Sequence, residues 1–107
     1  MTFASTSHAT IGFEFKGFEP THGLVSRAKE RMSRVFGESP SDSATFASLE
    51  KTSGGFIGRL QIRSAVGTFV ADVIGEDPVE VVNRLSRKVR SQLRLWKRHR
   101  ALALDNF

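Results

Sequence analysis

The sequence predicts an α+β domain of order β-α-β-β-β-α: a four-stranded mixed sheet with two helices packed on one face. Three observations carry that expectation. Apolar and polar residues alternate in one early segment and in a later group of three, the period of half-buried strands. Between that segment and the group, and again after it, apolar residues recur at spacings of three and four, the period of a helix with one buried face. The turns inside the group are short enough to force antiparallel neighbours, whereas a helix between the first two strands permits a right-handed parallel crossover.

The first strand spans Thr10 to Phe18, where Ile11, Phe13 and Phe15 alternate with Gly12, Glu14 and Lys16. Pro20 and Thr21 punctuate the chain. Leu24, Ala28, Met32, Val35 and Phe36 then give helical spacing up to Gly37, a residue suited to a C-terminal cap. Glu38 to Ser43 is a turn-rich loop, Ala44 to Lys51 reads as the second strand, and Thr52 to Gly55 is a turn. In Phe56 to Ser64, Leu60 and Ile62 stand against Arg59, Gln61 and Arg63; Ala65-Val66-Gly67 leads into the fourth strand, Thr68 to Ile74. The nine Phe residues read as core, because most alternate within strands. Trp96 likewise reads as core or edge-of-core packing.

The last helix has the clearest start. Asp77 suits the N-cap, Pro78 the first helical position, and Glu80 completes a capping-box spacing. Val81, Val82, Leu85, Val89, Leu93 and Trp96 then form one apolar stripe. A helix from Pro78 to Arg100 would be about 35 Å long. Opposite the stripe lie Arg87, Arg90, Arg94, Lys97 and Arg98.

Charge is concentrated on that helix. From Val81 to Leu104 there are eight basic residues, Arg84, Arg87, Lys88, Arg90, Arg94, Lys97, Arg98 and Arg100, and no Asp or Glu. Of 16 basic and 11 acidic residues in the chain, eight and 11 remain outside the segment, a net of −3 there against +5 overall. Like charges at i,i+3 and i,i+4 repel by a few tenths of a kcal/mol each, so about that much per pair must be offset from outside the helix. In the first helix Arg27, Arg31 and Arg34 share a face, with Glu30 nearby; a solvated surface and a contact surface are equally good readings of it.

With 107 residues there is room for one core. We expect residues 1–8 to be a flexible N-terminal tail, 9–101 the single domain, and 102–107 a C-terminal tail. No Cys is present, which removes disulfides, thiolate nucleophiles and cysteine metal sites. His8, His22 and His99 have no metal-ligand spacing with one another or with a carboxylate, no Ser lies in a nucleophile elbow, and the glycines form no phosphate loop. The sequence therefore predicts no enzyme, no cofactor, no metal and no small-molecule substrate. The N-terminus has no signal-peptide pattern and no apolar run approaches a membrane span, so a cytoplasmic protein is expected, without a membrane partner and monomeric in isolation. A basic chain directs attention to nucleic acid first.

The order of elements and the last-helix motif resemble the ribosome hibernation promoting factor and ribosome-associated inhibitor family in its short form. Gly75-Glu76-Asp77, then Val81-Val82-Asn83, Leu85, Lys88, Gln92-Leu93 and Lys97, are similar to that family's Gly-x-Asp entry and Lys-Leu-x-x-Gln-Leu-x-x-x-Lys run. Phe13 to Phe18 and Val35-Phe36 resemble its first strand and the aromatic end of its first helix. Val81 replaces a common Ala, and Leu95 and Trp96 stand where the family is often more polar. The resemblance implies the same β-α-β-β-β-α fold, similar to double-stranded-RNA-binding domains. It further implies binding to ribosomal RNA of the small ribosomal subunit, between head and body, over the messenger and transfer RNA positions. Long members add a C-terminal dimerisation domain; this sequence ends at Phe107. Lys88 and Lys97 are the best-matched basic positions, and the arginines are added by helix geometry. The alternative is a general double-stranded RNA or DNA binding module using the same surface.

Overall fold

A computed structural model describes residues 13–105, with side chains to residue 100. The elements are β1 (Phe13–Lys16), α1 (His22–Glu38), β2 (Ala44–Thr52), β3 (Gly55–Ser64), β4 (Gly67–Gly75) and α2 (Pro78–Asp105). The strands lie in the order β1-β2-β3-β4, with β1 parallel to β2 and the other pairs antiparallel. The expected architecture, two helices over one face of a mixed sheet, is the observed one. The proposed 1–8 tail lies outside the described residues.

Local chemistry moves several boundaries. The strand ends at Lys16 because Gly17 takes a positive φ of 81°. At the start of α1 the Thr21 hydroxyl accepts from the Leu24 N–H at 3.1 Å. The helix runs past Gly37, and Ser39 is its C-cap. Pro40 excludes helical backbone for the residue before it, and the Ser39 hydroxyl donates to the Val35 carbonyl at 2.7 Å, so a serine closes the helix in place of the expected glycine. The Asp77 carboxylate accepts from the Val79 N–H at 3.0 Å, as its N-cap assignment requires. Glu80 instead faces Arg87, with Oε1 3.4 Å from Nη2. At its other end α2 continues to Asp105, five residues beyond Arg100, because Ala101 to Leu104 are strong helix formers without a Gly or Pro among them.

The predicted stripes meet in the core. Leu24, Ala28, Met32 and Val35 of α1, and Val81, Val82, Leu85, Val89 and Leu93 of α2, are buried over Phe13, Leu49, Leu60 and Ile62 of the sheet. Burying each large aliphatic side chain is worth about 1.5–3 kcal/mol, so this layer holds both helices down. Phe13, Phe15, Phe18 and Phe56 form a chain of ring contacts with centroids 5.1–6.0 Å apart. Trp96 is half-buried and meets Phe69 edge-on at 6.0 Å. Phe36 and Phe46, expected in the core, are about half exposed. Phe46 lies in register between Ala47 and Thr45 and so points to the opposite sheet face from Ala47 and Leu49.

Where α2 crosses β3 there is no room for a side chain on the strand. A Cβ added to Gly58 would lie 2.6 Å from Val81 Cγ1 and 2.7 Å from Leu85 Cδ1. Gly58→Ala should therefore lower unfolding free energy by about 1–3 kcal/mol. Gly37→Ala, in open space on α1, should leave it unchanged or raise it by up to about 1 kcal/mol. Urea unfolding of the two variants checks both.

Candidate nucleic-acid interface

The cationic residues of α2 occupy three settings. On the solvent side are Arg84, Arg87, Arg94, Lys97, Arg98 and Arg100, all exposed. Among the described residues Arg84, Lys97 and Arg98 have no ion-pair or hydrogen-bond partner. Arg87 has only the exposed pair with Glu80, a contact that water largely screens. The Arg100 guanidinium lies 5.7 Å from the centre of the Trp96 ring.

Lys88 flanks this ridge on the sheet side. Its Nζ donates to the Asp72 carbonyl at 3.3 Å. One turn further along, Gln92 uses both ends of its amide on β4: it donates to the Val70 carbonyl at 2.7 Å and accepts from the Val70 N–H at 3.2 Å. Because β4 is a sheet edge, these side chains occupy backbone groups that a further strand would otherwise pair with. Two positions of the sequence motif thus have a part in the fold.

Arg90 flanks the ridge on the α1 side. Its Nε donates to Glu38 Oε2 at 2.5 Å, and both side chains are mostly shielded, 23% and 20% exposed. The other Glu38 oxygen is 3.6 Å from Arg94 Nε. Seven residues earlier on each helix, Arg31 Nε donates to Asn83 Oδ1 at 2.9 Å. Equal steps in the same chain direction mean that α1 and α2 run parallel along this seam. The repulsion left unrelieved within α2 is thus met from α1. The remaining predicted arginines of α1, Arg27 and Arg34, share Glu30, at 3.9 and 3.4 Å.

Sequence reasoning missed the contacts of Glu38 and Asn83, because each pairs with a residue 52 positions away. It also missed the open sheet face. There Phe46 is exposed with the Arg63 guanidinium 5.5 Å from its ring centre, beside the pairs Lys16–Glu14 (3.8 Å) and Arg59–Asp72 (3.6 Å). The alternation of Phe46 with Ala47 and Leu49 could have revealed it. A depression of about 500 Å³ on this face is lined by charges of both signs, Glu14 and Asp72 with Lys16 and Arg59. Among the described residues no three His, Asp or Glu side chains gather to hold a metal. No helix among them is long and apolar enough to cross a membrane.

No family model and no curated protein matches this sequence. Solved structures do match in shape. The N-terminal domain of Thermus thermophilus Protein Y superposes with a TM-score of 0.64 at 12% identity, over 77% of this chain and 92% of that one. A ribosomal subunit interface protein from Coxiella burnetii does so with a TM-score of 0.64 at 16% identity, over 79% and 96%. The fold is that of these two proteins. It is the fold that the resemblance in the last helix implies, and at these identities the likeness is one of backbone arrangement.

Gln92→Ala should expose both Val70 backbone groups. Amide exchange at Val70 should quicken by tenfold or more, while the Leu60 amide, inside the sheet, stays protected. Hydrogen exchange read by NMR checks this.

Proposed function

We propose that this protein is a non-catalytic translation inhibitor, a ribosome hibernation factor that docks through the ridge of α2 on ribosomal RNA of the small ribosomal subunit. It would lie over the messenger and transfer RNA positions and act in the cytoplasm. The observation that carries the reading is the acid-free cationic ridge on a fold shared with a protein named for the ribosomal subunit interface.

The physical argument is one of charge and shape. Ribosomal RNA presents a dense array of phosphates, and a straight helix can set several cations against them without reading sequence. Six of the eight basic residues are Arg, whose planar fork can grip phosphate bidentately and stack on unpaired bases. The apolar side of α2 is occupied by the sheet, leaving no face to insert into a lipid surface. The open sheet face, where acids and bases cancel, has less to offer a polyanion.

Arg84, Arg87 and Arg98 can be reversed without touching the seam with α1. The triple change to Glu should abolish co-sedimentation with small ribosomal subunits, by at least a hundredfold in affinity, and leave the circular dichroism spectrum unaltered. Unchanged binding would refute this assignment of the surface. Equal affinity of the wild type for naked RNA duplexes and intact subunits would favour the general nucleic-acid module.

A further inference from the structure

We propose that Glu38 is a positioning residue that holds Arg90 in the seam between the helices and out of the phosphate-binding set. The polyanion would then meet Arg84, Arg87, Arg94 and Arg98. The proposal rests on the reading of the ridge as an RNA-binding surface and divides the arginines within it.

The two arginines that share Glu38 differ in setting. Arg90 is 23% exposed with a 2.5 Å contact; Arg94 is 59% exposed with a contact of 3.6 Å. For Arg90 to reach a phosphate it must leave a short charge-assisted bond and strand a shielded carboxylate, which is costly. Arg94 has only a long, partly hydrated contact to exchange, and its side chain is already in solvent. Glu38 itself cannot readily follow Arg90 outward. It is the last residue of α1, fixed by the Ser39 cap, and the Arg31–Asn83 bond one heptad back sets the register of the seam. A single carboxylate thereby attenuates the ridge: it neutralises Arg90, tempers Arg94 and leaves the more distal cations untouched.

The test compares Glu38→Gln, Arg90→Gln, the double variant and Arg87→Gln in two readouts, urea unfolding and co-sedimentation with purified small ribosomal subunits across a salt series. In unfolding, Glu38→Gln and Arg90→Gln should each lower the midpoint, with the double variant falling no further than the worse single one, and Arg87→Gln should leave it in place. In binding, Arg87→Gln should reduce the slope of log affinity against log salt by about one, and Arg90→Gln should leave it unchanged. Glu38→Gln should steepen it and tighten binding several-fold although the fold is weaker. Most of that gain should be absent from the double variant, which has no Arg90 to release; a gain retained there in full would mark the loss of a negative charge alone and overturn the proposal. Arg90→Gln lowering the slope as Arg87→Gln does, or Glu38→Gln weakening binding, would overturn the proposal. Additive unfolding losses in the double variant would overturn the seam pin alone. A wild type without salt-dependent binding would refute the reading of the ridge itself.

Discussion

Everything in this structure turns on how α2 divides its circumference. One side is a continuous apolar stripe that the sheet buries from Val81 to Leu93. The other carries cations with no acid from Val81 to Leu104. Neither side can compensate the other: the stripe has no charge to offer, and the ridge has no apolar surface to bury. Offsetting the repulsion therefore falls to other elements, and the parallel β1–α1–β2 crossover brings the one that does so. It sets α1 alongside α2 in the same direction, so that Glu38 at its last turn stands against Arg90 and Arg94.

The seam depends on a boundary that is easily misjudged. Gly37 is an attractive helix end in sequence, and a helix ending there would leave Glu38 in a loop. Pro40 and the Ser39 hydroxyl carry α1 one residue further, enough to place the carboxylate on the helix and fix its direction. Strand alternation, the two apolar stripes and the Asp77 cap were legible because each is local, with period and capping chemistry contained within a few neighbours. The pairs Arg31–Asn83 and Glu38–Arg90 were not, because nothing near either partner signals a contact 52 residues away. Phe46 is a different case: strand alternation marks most Phe residues as core, but the phase of β2, with Ala47 and Leu49 inward, places Phe46 outward. Of the candidate site, the concentration of charge could be read from the sequence, whereas its division into free, seam-held and edge-bound cations needed the fold.

That division gives the molecule two unlike surfaces. The ridge bears cations that lack described partners, Arg84, Lys97 and Arg98 among them, at several positions along a rod. The opposite sheet face carries the pairs Lys16–Glu14 and Arg59–Asp72 and leaves Phe46, Val70 and Ile74 exposed. Lys88 and Gln92 lie at the border, holding the β4 edge while belonging to the sequence motif of the helix. The motif's spacing thus serves docking of the helix on the sheet as well as presentation of charge, and one residue pattern can be required by both.

On the proposed function, the ridge of α2 would meet phosphate at one site on the small ribosomal subunit. The most direct measurement is co-sedimentation of the unmodified protein with small subunits across a salt series, with transfer RNA as competitor. Binding should saturate near one molecule per subunit, weaken steeply with salt, with a slope of several, and be displaced by transfer RNA. Binding insensitive to salt, or binding that transfer RNA leaves in place, would contradict the proposed function.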